Sequence, residues 1–379
     1  MVAGPALVLF CGGMGGSATE EAFAAALREC ALDTLEEAQA SGQFERLILV
    51  ADPPSAQALE GRTPPGTILD LDPPGALWHF GRRLSEVVLR HELERPVYVG
   101  SGLPLVKRDD LTAMAKGVTE HPRAVVANNF FSADMLGFVP GEVVREVELP
   151  DNDRILPRLL RDKAGLQNRA LPRSIANQFD IDTPGDLAIL AYGGGAGPNL
   201  QRHIEAAGID LTRLRRASTL FTDRDSEVVV AGRVGTPTWQ YLESETPCRV
   251  RMFAEERGLQ AAGRDVNGDA RSLVAFHIQV VGFERFFREL SEMGQAAFID
   301  TRPLFAHMGL KPSRPDRFLS DAMTPAGIEE PWVRELTQAA CEAPIAVVLG
   351  GASLVASGVQ LLSEAAWREH DERMGIAKG

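Results

Sequence analysis

The feature that most constrains this chain is an apolar run that ends abruptly in glycine. Ala6–Cys11 reads ALVLFC, and GGMGG, Gly12 to Gly16, follows at once. A short run that is apolar on both faces suits a strand at the centre of a sheet. Thr19 to Ala40 then places apolar residues at helical spacing, with acidic residues near its start, where a helix dipole favours them. Leu47 to Ala51 reads as a second strand. Strand, glycine loop, helix and strand together open a mostly parallel sheet.

The alternation continues. GTILDLDPPG is a short strand ending in a turn, Leu77 to Leu93 a helix, and Pro96 to Gly100 a strand leaving through GSGLPLV. Asp109 to Gly117 is a short helix, AVVANNFF a strand, and Val143 to Leu149 a crossing or edge strand. Arg154 to Arg173 is basic: a solvated helical surface or a clamp for phosphates. YGGGAGPN, Tyr192 to Asn199, is a break between larger units. Beyond it, Glu227–Gly235 reads as strand and turn, and Ser272–Val281 as a strand with His277 packed in it. Phe283–Met293 reads as a helix, AAFIDTRPLF as a strand with its exit loop, and Pro331–Ala340 as a helix.

A length of 379 residues exceeds one small core and implies two domains, 1–199 and 200–379. The expected class is α/β: a three-layer, Rossmann-like, mostly parallel sheet followed by a second α/β domain. A formal net charge of -13 sets aside general affinity for nucleic acid or an anionic membrane. A local positive site for a nucleotide remains compatible with it. Four cysteines without metal-ligand spacing give no secreted disulfide framework. The N-terminal run lacks a basic region and no segment is long enough to span a membrane, so the cytoplasm is the expected location.

Candidate chemistry clusters where strands end. A glycine loop between a first strand and helix can cradle phosphates with backbone N–H groups. Gly12, Gly13, Gly15 and Gly16 form such a loop, with Ser17 as an added donor; a structural tight turn is the alternative. Asp52 follows the second strand, a usual place for a ligand contact. Asn128 and Asn129, with Ser132 and Asp134, form a polar cluster that could hydrogen-bond a base or sugar, or close a turn. Asp180 and Asp182 flank Ile181, so their carboxylates share one face of an extended segment. A divalent cation needs such oxygens close together. Alternatively Asp182 helps start the next helix, where Thr183 can cap and Pro184 fits the first turn. In the second half, Asp300, Thr301, Arg302 and His307 form a compact group; Arg302 could grip an acidic ligand or pair with Asp300.

Residues 5 to 192 resemble a family of nucleotidyltransferases, which includes molybdenum-cofactor and 2-phospholactate guanylyltransferases. The wider fold is that of the nucleotide-diphospho-sugar transferases. FDIDTPGDL, Phe179 to Leu187, is similar to the family's late motif, and ALRECALDTLEEAQASGQFERLILVADP is similar to its early helix and strand. The resemblance implies nucleoside monophosphate transfer from a nucleoside triphosphate to a small phosphorylated or cofactor-like acceptor, with pyrophosphate leaving. It implies a glycine loop holding the triphosphate and Mg2+ bound by an aspartate after a central strand. Here that turn is GSGLPLV, with Ser101 or Gly102 in the aspartate's place, and the glycine loop lacks the usual nearby arginine and lysine. Asp180 or Asp182 falls on the late metal-associated position; Asp134, Asp109 or Asp110 could add a carboxylate. Lys107 or an arginine of 154–173 would offset developing charge. Two rival functions stay open: nucleotide or cofactor binding without catalysis, and glycosyl transfer from a nucleotide sugar. The second half would bind the acceptor or form a homodimer contact.

Overall fold

A computed structural model describes residues 4–73, 75, 77–130, 132–259 and 263–376. Contacts group the chain into two units whose segments interleave. The first holds 1–15, 24–180 and 196–203; the second holds 16–23, 181–195 and 204–379.

The first unit carries β1 (Ala6–Cys11), β2 (Arg46–Ala51), β3 (Ile68–Leu71), β4 (Pro96–Gly100), β5 (Ala124–Ala127), β6 (Met135–Val139) and β7 (Gln167–Ala170). They form one sheet in the order β3-β2-β1-β4-β6-β5-β7. Only β6 runs antiparallel to its neighbours, β4 and β5. Its helices are α1 (Ala18–Ser41, whose start to Phe23 groups with the second unit), α2 (Pro53–Leu59), α3 (Phe80–Arg90), α4 (Arg108–Thr119), α5 (Leu156–Asp162) and α6 (Ile175–Gln178). Alternate residues of β1 feed two cores, which is why the run is apolar on both faces. Leu7 and Leu9 pack with Leu32, Leu35 and Met114 of α1 and α4. Val8 and Phe10 pack with Leu84, Val87 and Leu160 of α3 and α5. The three-layer α/β arrangement is therefore as the sequence implies.

Two details differ. Val143–Leu149 is not a strand; a 3-10 turn spans Gly141–Arg145, and the strand lies earlier, at β6. Gly137 in β6 lets α4 approach closely, since a Cβ there would sit 2.8 Å from Val118 Cγ1. The basic stretch divides into α5 and the exposed edge strand β7.

The second unit has four parallel strands, β8 (Glu227–Gly232), β9 (Arg249–Ala254), β10 (Ala296–Asp300) and β11 (Ala346–Gly350), in the order β11-β10-β8-β9. The later helices are α7 (Pro184–Gly193), α8 (Pro198–Ala207, beginning in the first unit's last segment), α9 (Thr212–Ser218), α10 (Thr236–Glu245), α11 (Leu273–Val281), α12 (Phe283–Ser291), α13 (Arg302–His307), α14 (Arg314–Asp321), α15 (Pro331–Glu342) and α16 (Val359–Met374). One sheet face packs Val229, Ile299 and Leu349 against Phe286, Phe287 and Leu336. On β10, Phe298 stacks on Phe221 with ring centroids 5.4 Å apart. Ser272–Val281 is a helix instead of the expected strand: Ser272 Oγ accepts the Ala275 N–H at 3.0 Å and caps α11. His277 is consequently not a core residue; it lies on an exposed helical face, 2.7 Å from Glu289.

Candidate functional site

Both sheets are doubly wound, so each has a point where strand order reverses. In the first it falls between β1 and β4; in the second, between β8 and β10. Ligands of open α/β sheets bind outside the carboxyl ends of the strands at such a point.

At β1, the chain turns out of the sheet through glycines that hold positive φ. Gly13 sits at φ 77°, and its N–H donates to Asp52 Oδ2 at 2.9 Å. Gly12 has no room for a side chain, since a Cβ would lie 2.9 Å from Asp52 Cγ. Asp52 Oδ1 accepts the Ser55 N–H at 2.8 Å and caps α2. One carboxylate thus fixes both the loop and the next helix, which accounts for an aspartate at the end of β2. On the other side of the reversal, the Ser101 N–H donates to the Phe10 carbonyl at 3.1 Å. Ser101 is buried and its hydroxyl bonds to Cys11. Burial pushes the Cys11 thiol up to about 12, so this cysteine is a neutral packing group at neutral pH.

The other predicted residues divide between local roles. Asn128 is a buried strut. Its Oδ1 accepts the N–H groups of Asp134 and Met135, at 3.2 and 3.1 Å, and its Nδ2 donates to the Asn177 carbonyl at 2.8 Å. Asn129 is half-buried, and its carbonyl accepts the Ser132 N–H at 3.4 Å. The Asp134 carbonyl accepts the Gly100 N–H at 3.0 Å, which ties the start of β6 to the end of β4. Lys107 is exposed at the start of α4 and lines a cavity of about 220 Å³ with Cys30, Asp33, Glu37 and Arg108.

Gly16, Ser17 and Asp182 group with the second unit, whereas Asp180 is the last residue of the first unit's central segment. Ile181 between the two aspartates is buried. Asp182 is exposed, its N–H donates to Asp186 Oδ2 at 3.1 Å, and its charge acts on Arg317. Thr183 caps α7, as its spacing implies. Among the described residues, no three His, Cys, Asp or Glu side chains gather as metal ligands. Mg2+ is commonly held by one or two carboxylates plus substrate phosphates. Of the two aspartates, Asp180 is half-buried and groups with the first unit, and Asp182 is exposed in the second.

The second reversal point is built differently. Arg233 Nε and Nη2 donate to Asp300 Oδ2 and Oδ1 at 2.6 and 3.1 Å. Asp300 is fully buried, and Gly232 packs so close that a Cβ there would collide with the Asp300 side chain. Arg302 does not pair with Asp300 through its side chain. Its guanidinium forks onto Asp321 at 3.0 and 2.5 Å, and only its N–H donates to Asp300, at 3.1 Å. His307 Nδ1 accepts the Ser272 N–H at 3.1 Å and Nε2 meets Gln279 Oε1 at 3.1 Å. Burial, and then the charge of Arg271, lower its pKa. This group is a network of ion pairs and caps. Arg314 and Arg317 of α14 have no part in the sequence-based expectations: Arg314 meets Glu20 Oε1 at 3.4 Å, and Arg317 donates to the Pro312 carbonyl at 3.3 Å. The one signal for them was the basic, proline-broken run KPSRPDR after α13.

No family model and no curated protein matches the chain. Among solved structures, it is similar to a cytidylyltransferase from Leptospira borgpetersenii serovar Hardjo-bovis, at 14% identity and a TM-score of 0.38, covering 54% of this chain and 93% of that one. A CMP:2-keto-3-deoxy-manno-octonic acid synthetase complexed with CTP matches at 14% identity and 0.36, covering 49% and 95%. The 4-diphosphocytidyl-2C-methyl-D-erythritol synthase of Anaerococcus prevotii DSM 20548 matches at 10% and 0.33, covering 48% and 94%. No described helix is long and apolar enough to cross a membrane.

Proposed function

We propose that the first unit binds a nucleoside triphosphate at its β1/β4 reversal and that the protein transfers the nucleoside monophosphate to a small acceptor. The observation that carries this reading is the glycine turn after β1. It is pinned by the Gly13–Asp52 bond and lies beside the Ser101 loop, where an open α/β sheet receives its ligand. Backbone N–H groups of such a turn suit phosphate oxygens. An oxygen of the acceptor attacks the α-phosphorus, the bond from it to the β-phosphate bridging oxygen breaks, and pyrophosphate leaves. The acceptor's proton passes to solvent. The protein's own part is positioning and charge neutralisation. Mg2+, held by Asp180 with the phosphates, would add to that neutralisation.

A second reading, nucleotide binding without transfer, is favoured by one observation. Ser101, at the turn where the resemblance implies a carboxylate, is buried against Cys11.

A thermal-shift titration with ATP, GTP, CTP and UTP, with and without Mg2+, tests the site. One selective shift is expected; no shift with any of the four would overturn both readings. Pyrophosphate release on adding candidate phosphorylated acceptors then separates transfer from binding alone.

A further inference from the structure

Among the described residues of the first unit, Trp78 is the one large aromatic side chain that is exposed, at 57%. It lies in the connection from β3 to α3. β1, β2 and β3 are mutually parallel, so this connection leaves the sheet on the same side as the glycine turn. β3 stands two strand spacings from β1, about 10 Å. The chain nevertheless returns over β2. The Asp72 N–H donates to the Ala51 carbonyl at 2.9 Å, and Trp78 sits edge-on to Phe10, with ring centroids 5.8 Å apart. Phe10 stands two residues before Gly12, and its carbonyl accepts the Ser101 N–H. Trp78 thus borders the end of β1 from the α3 side of the sheet. Trp78, Phe10, Gly12 and Ser101 all belong to the first unit.

The ordinary role for a residue in this position is taken away from it. Trp78 precedes His79, whose Nδ1 accepts the Arg82 N–H at 3.3 Å and caps α3. An apolar residue there commonly packs on the fourth residue of its helix. That residue is Arg83, whose guanidinium is committed to Asp70 and Asp72 at 2.6 and 2.8 Å. Nor does the core need the indole. Phe10, Phe80 and Tyr98 already form an edge-to-face trio with centroids 4.9, 5.2 and 5.9 Å apart, and all three are buried. Trp78 touches this trio at Phe10 and keeps most of its surface in solvent. The connection is held at both ends. Arg83 grips Asp72, and the Gly81 N–H donates to the Pro150 carbonyl at 2.9 Å. An indole held beside a ligand crevice is a stacking platform, since every nucleobase has a π face.

We propose that Trp78 is the base-stacking residue of this protein: the nucleobase lies on its indole while the phosphates lie at the Gly12–Gly13 turn. This rests on the nucleotide reading above and adds a base end to the phosphate end of the same site. Stacking accepts any of the four bases, so Trp78 supplies affinity and leaves the choice of base to other groups.

The test is calorimetry on the full chain with ATP, GTP, CTP and UTP and, beside them, inorganic tripolyphosphate, which has no base. Trp78→Ala is expected to weaken the nucleotide that binds by about fivefold or more, the lower end of what a base–aromatic stack contributes. Tripolyphosphate binding should stay as in wild type, and Trp78→Phe, which keeps a ring, should retain most of the nucleotide affinity. Unchanged nucleotide affinity in Trp78→Ala would overturn the proposal and leave the nucleotide reading intact. Equal losses for nucleotide and tripolyphosphate would also overturn it, because the base would not be what Trp78 holds. No nucleotide binding by wild type would sink both. Should Trp78→Ala not fold, intrinsic fluorescence decides. Bound nucleotide should quench the emission of wild type, and that quench should vanish in Trp78→Phe. A quench that persists there, or binding to wild type without a quench, would overturn the assignment.

Discussion

The two sheets pose the same topological question and answer it oppositely. Each reverses its strand order beside its first strand, and each has glycine at that strand's end. In the first unit, the glycine turn stays open: a Cβ at Gly13 would meet nothing within 4 Å. In the second, Gly232 is pressed onto Asp300, and Arg233 closes over that buried carboxylate. Topology therefore offers a ligand crevice, and side chains decide whether it stays available. A buried Arg–Asp fork fills one reversal point, while an Asp52 that bonds only backbone N–H groups shapes the other.

The largest effect should come from breaking the closed site. Asp300→Ala leaves Arg233 facing a buried gap and should lower unfolding free energy by about 3–5 kcal/mol, read by urea denaturation. A loss under about 1 kcal/mol would mean that the pair does not seal the crevice. Next come the two glycines. Gly232→Ala must push Asp300 aside as well as strain φ, whereas Gly13→Ala meets only the backbone strain, about 1–2 kcal/mol. Thermal denaturation should rank Gly232→Ala as the less stable variant, and the opposite ranking would erase the contrast. Gly13→Ala should in turn weaken nucleotide binding, while Gly232→Ala, once folded, should not.

A smaller effect tests where the first unit keeps its buried charge. Asp70, on edge strand β3, meets Arg83 and Arg90 at 2.6 Å and His91 at 2.7 Å. Burial alone would raise its pKa, but the bonds from Arg83 and His91 outweigh it and hold the carboxyl below its ordinary value of 3.8. The folded state thus keeps this proton off more readily than the unfolded one. The stabilisation is complete above the unfolded value and is lost as pH falls through the folded one. Urea midpoints should fall less steeply below about pH 4 in Asp70→Asn than in wild type. Equal slopes would show that Asp70 contributes nothing to acid sensitivity.

Much of the first unit was legible because β1, the glycines and α1 carry unlike local signals in sequence. β7 was not, since QNRA is an exposed polar edge with no apolar period. α11 misled in the opposite way: LVAFHIQVV is apolar and rich in branched side chains, yet its cap at Ser272 and its contacts make it a helix. The site was legible only as a set of strand ends. That Asp52 would serve backbone groups, or that Arg233 would find Asp300 across 67 residues, depends on pairings no local pattern encodes. Arg314 lies 294 residues from Glu20, so that contact was equally hidden.

The central contrast is tested most directly by hydrogen–deuterium exchange with and without a mixture of ATP, GTP, CTP and UTP plus Mg2+. The account predicts slower exchange in peptides covering residues 12–17 and 101–107, and no change over 232–235 or 300–302. Protection over 232–235 with none over 12–17 would contradict it and move the ligand to the second sheet.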